Sequence, residues 1–432
     1  MTCVCDTLFR GPKVTLRSRN HLSQESALNY AYIASNASLI EFCQRAAQTE
    51  FIGFDTEFVS EDTFQSQLCL IQVAAGAEFV VIDPLAVKDL RPFWQLLSQP
   101  GHVTVAHAGR EELLFSVRAT DQTPHQLFDL QIAAALVGLE YPAAYGTLIQ
   151  RLLGTTLSKG ETRTDWRKRP LSDSQLEYAV QDVIYLRPLY DKLNERLKSL
   201  GRLAWLETEM ASWQSRIVAR EQQENWRRVS GSNGLRQRSL AILRELWRWR
   251  NGEAQRRNMP VKRVLRDDLI VELARRQTAD VKRIQAVRGM ERGDLRRNVS
   301  HLAAAIARAL DLPADQLPER GGKPTFNQLA TIGQFTHTAL NSICRSEQIA
   351  PGIVATIDDV RDFVAYHCGF DRPPGGLPAL TQGWRAEVVG HRLQQLLAGQ
   401  TTIRVRDPLA DNPLVFETLA DRRETDVRQQ HD

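Results

Sequence analysis

The period of apolar and polar positions changes along this chain. From about Tyr30 to Leu200, strand-like runs alternate with segments of helical spacing, a pattern that predicts an α/β domain. Phe51 to Phe58, Ser66 to Ala74, Glu78 to Ile82 and His102 to Ala106 read as strands, the third stopped by Asp83-Pro84. A helix is expected from about Arg110. The clearest helix is Ser172 to Leu186. Ser172 and Gln175 have capping-box spacing, and Leu171 and Leu176 suit a hydrophobic staple. Leu176, Ala179, Val180 and Val183 then recur at helical intervals. Pro188 is expected to kink or end that helix.

Farther along, Arg202 to Arg228 reads as a charged helix bearing Trp205, Trp213 and Trp226. Ser230-Gly-Ser-Asn-Gly234 reads as a linker. Ser239 to Leu310 is helical in pattern, with Pro260 and Gly289 as punctuation, and a proline-rich break follows from Leu312 to Pro324. Phe326 to Leu397 is helical again, apart from the turn Arg372-Pro-Pro-Gly-Gly376. The polar stretch after Ala398 is expected to fray. The organisation expected is therefore a flexible extension (1–29), an α/β domain (30–200), a helical linker (201–235), a helical domain (236–312), a linker (313–324), a second helical domain (325–403) and a tail (404–432).

Length and composition agree with several soluble domains. A chain of 432 residues exceeds one ordinary core, and 43% hydrophobic with 25% charged residues is globular rather than disordered. No run approaches the ~18 apolar residues of a membrane span. Residues 1–29 lack the apolar centre of a secretory signal, although Arg10, Arg17 and Arg19 leave a transit peptide open. Six scattered cysteines without a C-x-x-C pair point to reduced thiols in the cytoplasm rather than disulfides or zinc. The net charge of +4 conceals an asymmetry: Gln237 to Leu310 holds 18 Lys/Arg against 8 Asp/Glu, a net of +10, which leaves −6 for the remainder. A basic module joined to an acidic remainder suggests polyanion capture beside a metal-loaded site.

Three acidic segments carry the candidate chemistry: Asp55-Thr-Glu57, His107-Ala-Gly-Arg-Glu-Glu112 and Glu177-Tyr178-Ala-Val-Gln-Asp182. Asp55 and Glu57 are two apart on a strand-like run, so they share a face. Phe51, Ile52, Phe54 and Phe58 predict that this strand is buried, where unpaired acids are costly. Tyr178 and Asp182 are four apart on the capped helix and share a face too. Glu111 and Glu112 point about 100° apart at a helix start, so only one is expected to face the site. His107 reads as a structural histidine. Each pair alone has a bland reading as solvated acids. Converging, they call for hard divalent metals, and two such metals on one phosphate make a nuclease.

Taken together, these segments resemble the DEDD superfamily of 3′–5′ exonucleases, in its tyrosine-bearing branch. The resemblance extends to the ribonuclease D family through Cys69-Leu-Ile-Gln72, Val81-Ile-Asp83-Pro84-Leu85, Phe128-Asp129-Leu-Gln131 and the run from Leu157 through Arg163, Asp165, Trp166 and Pro170 into Glu177-Tyr178. Ser239 to Leu310 resembles the HRDC module, and Leu380-Thr-Gln-Gly383-Trp384-Arg385-Ala-Glu387 is similar to the end of a second, diverged copy. The family implies an RNase H-like mixed sheet flanked by helices, then two all-α HRDC-like domains.

The resemblance further implies two Mg²⁺ or Mn²⁺ ions held by Asp55, Glu57, Glu112 and Asp182, with Tyr178 and Glu57 orienting the attacking water. The expected reaction is hydrolysis of RNA from the 3′ end to 5′-mononucleotides, with tRNA precursors as substrates and no obligate protein partner. The family usually carries aspartate where this chain has Glu112, so altered metal affinity or rate is expected. Two other readings stay open: a DNA 3′–5′ exonuclease, and a nucleic-acid-binding protein whose nuclease site Glu112 has weakened. In the basic module Arg248, Arg250, Arg256, Arg257, Lys262 and Arg263 are candidate phosphate contacts, and Trp247 and Trp249 are candidates for base stacking or core packing.

Overall fold

The computed structural model describes residues 29–157, 164–319, 329–370 and 376–418. Expectations for residues 1–28, 320–328 and most of the Arg372–Gly376 turn lie outside them. So does the expected tail beyond Thr418.

A six-stranded sheet forms the first layer: β1 (Ala31–Ile33), β2 (Phe51–Val59), β3 (Gln67–Ala75), β4 (Glu78–Ile82), β5 (Val103–Ala106) and β6 (Leu127–Asp129). Their order is β1-β4-β3-β2-β5-β6. β2, β3 and β4 pair antiparallel, while β1 joins β4, β5 joins β2 and β6 joins β5 in parallel. The sheet is mixed, and β2, the strand with Asp55 and Glu57, lies inside it. The helices of this part are α1 (Asn36–Ala46), α2 (Arg91–Ser98), α3 (Arg110–Thr120), α4 (Leu130–Leu136), α5 (Tyr145–Leu153), α6 (Asp173–Ile184), α7 (Leu186–Ser199) and α8 (Leu203–Gln222).

Ser172 and Gln175 close the capping box that starts α6. The expected helix stops two residues early. α6 ends at Ile184 and α7 begins at Leu186, with Pro188 in its first turn. A proline has no N–H to continue the α6 ladder, but in a first turn no such donor is required. The charged helix expected to reach Arg228 ends at Gln222. Trp205 and Trp213 pack with the sheet domain, whereas Trp226 sits in a 3₁₀ turn within the next core.

That next core is helical throughout: α9 (Gln237–Arg257), α10 (Val261–Val264), α11 (Asp267–Arg276), α12 (Val281–Gln285), α13 (Gly293–Arg297) and α14 (Val299–Leu310). It is a separate apolar cluster that includes Val229 and Leu235, so the Ser230–Gly234 stretch turns against this core rather than swinging free. The final helical part comprises α15 (Ala330–Ser346), α16 (Pro351–Val354), α17 (Ile357–His367), α18 (Gly383–Arg385), a π-helical turn at Ala386–Gly390 and α19 (His391–Leu397). The fraying expected after Ala398 does not occur up to Thr418. β7 (Thr401–Val405) and β8 (Leu414–Thr418) form an antiparallel hairpin. Polar composition hid it because its anchorage is tertiary. Asn412 accepts from the Ser342 hydroxyl at 2.7 Å, and Arg345 donates to the Asp411 carbonyl at 2.5 Å. Among the described residues no helix is long and apolar enough to cross a membrane.

The last helical part shares one continuous apolar core with the sheet domain. Arg202 joins the two. Only 5% exposed, it donates to the carbonyls of Leu136 and Gln348, both at 2.8 Å, and to that of Glu347. Nearby, buried Glu209 holds Arg385 at 2.7 Å and Arg216 at 3.0 Å, and Trp205 stacks on Trp384. Arg202→Leu leaves three buried carbonyls short of a donor, and should cost about 3 kcal/mol of stability, read as a lower denaturation midpoint.

Candidate active site

Strand alternation puts Gly53, Asp55 and Glu57 on one face of β2. A Cβ on Gly53 would stand 3.0 Å from Leu186 Cδ1, so glycine lets the first turn of α7 rest on the strand beside Asp55. The β2–β3 register shifts between Glu57 and Phe58, immediately after the acids. α6 packs on β2, β3 and β4 and brings Tyr178 and Asp182 over the same face. A cavity of about 280 Å³ results, lined by Asp55, Thr56, Glu57, His107, Tyr145, Tyr178, Asp182 and Leu186.

Glu112 approaches from the other face with α3. Buried at 5% exposure, it accepts a 2.5 Å hydrogen bond from the Thr56 hydroxyl. It stands behind the cavity wall rather than in the lining, yet close enough to repel Asp55. The extra methylene thus carries its carboxylate to Thr56. Glu111 turns away, to Arg110 and to the Ser66 hydroxyl at 3.1 Å. Of the two glutamates, Glu112 is the one buried beside Asp55, though neither enters the cavity lining.

The electrostatics follow from burying like charges together. Burial, then repulsion by Asp182, pushes the Asp55 carboxyl up to about 8. Burial with repulsion by Asp55, Asp182 and Glu112 pushes Glu57 up to about 9. Burial and Asp55 push Glu112 up to about 8, against the Thr56 hydrogen bond. Burial raises Asp182 to about 7, and a hydrogen bond with Tyr178 opposes it. The Tyr178 phenol is raised by burial and by Asp182, so it keeps its proton. No lysine or arginine lines the cavity among the described residues. Nor, among them, do three His, Cys, Asp or Glu side chains close into a ready-made ligand cage. Asp55, Glu57 and Asp182 share the cavity without converging on a point.

A second buried acid, Asp129, has a structural task. It caps α4 through the backbone N–H of Gln131 and Ile132 and accepts from Gly109 N–H at 2.8 Å, fixing the loop that holds His107. Gln72, directly across from Asp55 in the ladder, is fully buried with neither amide atom partnered.

The loop before α6 is locked by a bidentate pair. Arg169 donates to both Asp83 oxygens at 2.7 and 2.8 Å, and to the carbonyls of Trp166 and Cys69. Trp166 in turn packs its ring 6.1 Å from that of Tyr178. Two motifs that are far apart in sequence, Asp83-Pro84 and Trp166 to Pro170, therefore support the tyrosine. Residues 158–163 of the latter run lie outside the described residues. Sequence reasoning did not single out Thr56 or Tyr145, and it read His107 as structural. For Thr56 and Tyr145 no periodicity or spacing announces a cavity wall; His107 had only its place in the motif.

The six basic candidates are mostly occupied. Arg250 is 3% exposed and donates to Asp267 at 2.6 Å and to the Leu265 carbonyl, which removes it from any nucleic-acid surface. Arg248 is shared by Glu224 and Glu245, Arg256 and Arg257 pair with Glu253, and Arg263 reaches Asp62 of the sheet domain at 2.7 Å. Lys262 stays 75% exposed, 3.9 Å from Asp267. Charge counting overlooked these acids because their partners arrive from other turns and other elements. Trp247 and Trp249 both pack partly buried against the helical core.

Comparison with known proteins bears on all of this. Residues 30–198 match the family model described as 3′-5′ exonuclease, and residues 239–306 match that of the HRDC domain. The chain is 34% identical to ribonuclease D of Gluconacetobacter diazotrophicus, over 86% of this chain and 94% of that protein. It is 33% identical to ribonuclease D of Granulibacter bethesdensis, with the same coverage. Its structure is similar to that of Escherichia coli RNase D, described as an exoribonuclease involved in structured RNA processing. The TM-score is 0.75 at 29% identity, covering 86% of this chain and 99% of that one. Sequence and fold agree over the same stretch of chain, and the chain belongs to the ribonuclease D family.

Proposed function

We propose that this 3′–5′ exoribonuclease works at the Asp55–Glu57–Tyr178–Asp182 cavity, releasing 5′-mononucleotides by a reaction that requires two divalent cations. The observation that carries the reading is a cavity whose acids are raised by burial and, for Asp55 and Glu57, also by neighbouring acids, with no lysine or arginine in its lining among the described residues. Such a donor set is all oxygen and suits Mg²⁺ or Mn²⁺ rather than zinc. Asp55, Glu57 and Asp182 would hold the ions, and Glu112 would act through Asp55 or through a bridging water. When bound, the ions supply an activated water and stabilise the charge of the scissile phosphate and leaving oxygen.

The protein's own groups do the positioning. Tyr178, protonated and backed by Trp166, donates toward the attacking water. Glu57 accepts from it, on the same strand face as Asp55. Leu186 and the tyrosine rings exclude bulk water, which strengthens every charge interaction inside. Substrates proposed are structured RNAs, tRNA precursors among them, in the cytoplasm. For backbone capture we propose exposed residues of the helical module that pair with no carboxylate among the described residues, Lys282, Arg283, Arg296 and Arg297 on α12 and α13, together with the highly exposed Lys262. They supply affinity without reading sequence.

Four outcomes test this. A tRNA with an extended 3′ tail should shorten one nucleotide at a time in Mg²⁺ or Mn²⁺, and Asp55→Asn should lower the rate by at least about 10³-fold; an intact tail in both metals refutes the reading. The four acids must lose protons to hold cations. Cation affinity should therefore rise steeply between pH 6 and 9 with release of protons, as isothermal titration in buffers of different ionisation heat will show. The folded pKa values lie above the unfolded ones, so without divalent cations stability is full at low pH and falls as pH passes through 7 to 9. Asp55→Asn should raise the metal-free thermal midpoint at pH 9 and lose that advantage in Mn²⁺. Replacing Lys282, Arg283, Arg296 and Arg297 by Ala should weaken single-stranded RNA binding and flatten its logarithmic salt dependence by up to about 3.

A further inference from the structure

An amide without a bond is buried beside the acids. Gln72 lies within β3, fully buried, and neither its Nε2 nor its Oε1 has a hydrogen-bond partner among the described residues. It stays outside the cavity lining. Burying both ends of a carboxamide unpaired is costly. A side chain with no polar task would serve better at this position as leucine or methionine.

The two neighbouring strands set where the amide stands. Gln72 is directly across from Asp55 on β2 and from Val81 on β4. Residues paired in this way point to one face, with Cβ atoms about 4.5–5.5 Å apart. Leu70 and Ala74, two positions away on β3, share that face. Leu70 and Val81 belong to an apolar cluster closed by Ala179 and Val180 of α6, and Ala74 is buried in the main core. α6 packs across β2, β3 and β4 and so covers this face. Glu57 stands one pair farther along it, opposite Leu70. Asp55 is therefore the polar side chain directly beside Gln72 in an otherwise apolar seam.

The two groups are complementary. A carboxylate only accepts hydrogen bonds, and a carboxamide nitrogen donates two. The amide is also neutral. Lysine or arginine at position 72 would pair with Asp55 and repel a divalent cation; glutamine holds the carboxylate and leaves its charge available. Glu112 is already held by a neutral donor of this kind, the Thr56 hydroxyl at 2.5 Å.

We propose that Gln72 is a positioning residue for Asp55, its amide nitrogen donating to the carboxylate and fixing how that group faces the cations. The inference rests on the proposed role of Asp55 in holding them. Partners behind a metal ligand orient it and raise the affinity of the site.

Two measurements on the full chain test it. In a crystal of the native protein grown in Mn²⁺, Gln72 Nε2 should lie about 2.7–3.2 Å from an Asp55 carboxylate oxygen; an Nε2 bonded elsewhere overturns the inference. Gln72→Met keeps the length of the side chain and removes the donor. It should weaken Mn²⁺ binding in isothermal titration by about tenfold to a hundredfold. Its melting without divalent cations should be unchanged or higher, and at saturating Mn²⁺ kcat should fall while KM for RNA holds. A merely structural glutamine gives the reverse, a lower melting point with native Mn²⁺ affinity, and that result overturns the inference. If Gln72→Met does not fold, Gln72→Asn, which draws the amide back by one methylene, is held to the same expectations. Native protein that takes up no Mn²⁺ at Asp55 defeats the proposed metal site and this inference with it. Native uptake that the substitution leaves intact defeats this inference alone.

Discussion

Repulsion among buried carboxylates is the constraint around which this molecule is arranged. Asp55, Glu57 and Asp182 are removed from water by the packing of α6 and α7 on β2, Glu112 is buried behind them where α3 meets β2, and no lysine or arginine lines the cavity among the described residues. Burial, joined for Asp55, Glu57 and Glu112 by a neighbouring acid, raises their proton affinities. Protons or divalent cations relieve the repulsion, and only the cations leave carboxylates able to organise a hydrolytic reaction. The fold must therefore be stable enough elsewhere to hold a site that opposes folding.

The surrounding structure meets that demand with polar groups that each hold several hydrogen bonds. The bidentate Asp83–Arg169 pair fixes the loop under Tyr178. Asp129 accepts three backbone N–H groups to fix the loop of His107. Arg202 and the Glu209–Arg385 pair tie the last helical part to the sheet domain. Each of these charges is buried with a partner, the condition under which a buried charge is tolerated. The candidate site's acids are the exception, and that contrast sets them apart from the structural carboxylates more clearly than their positions in sequence do.

The helical module between the two shares no apolar core with them, but it is not loosely attached. Arg263 pairs with Asp62, which also approaches Arg167 at 3.6 Å, and Asn258 accepts from the Phe64 backbone while Phe64 packs on the module's core. The loop that follows β2 is thus a point at which the module meets the nuclease part. Its positive charge is in good measure spent on internal pairs, and the arginines free to meet a phosphate are fewer than composition suggests.

What the chain determined alone is local and periodic. Two acids at i and i+2 on an apolar strand, a tyrosine and an aspartate at i and i+4 behind a capping box, and a basic stretch of helical spacing were legible because each depends on neighbours in sequence. The mixed sheet and the helical modules followed from the resemblance those segments carry. Tertiary structure decided the rest. It buried Glu112 against Thr56 and left Glu111 to Arg110 and Ser66, turned Arg250 into a core residue by bringing Asp267 to it, and folded the polar C-terminal stretch into a hairpin by supplying Ser342 and Arg345. It also brought Tyr145 and His107 into the lining of the acids' cavity. A side chain's partner across space has no period along the chain, so these contacts could be read only once the elements had packed.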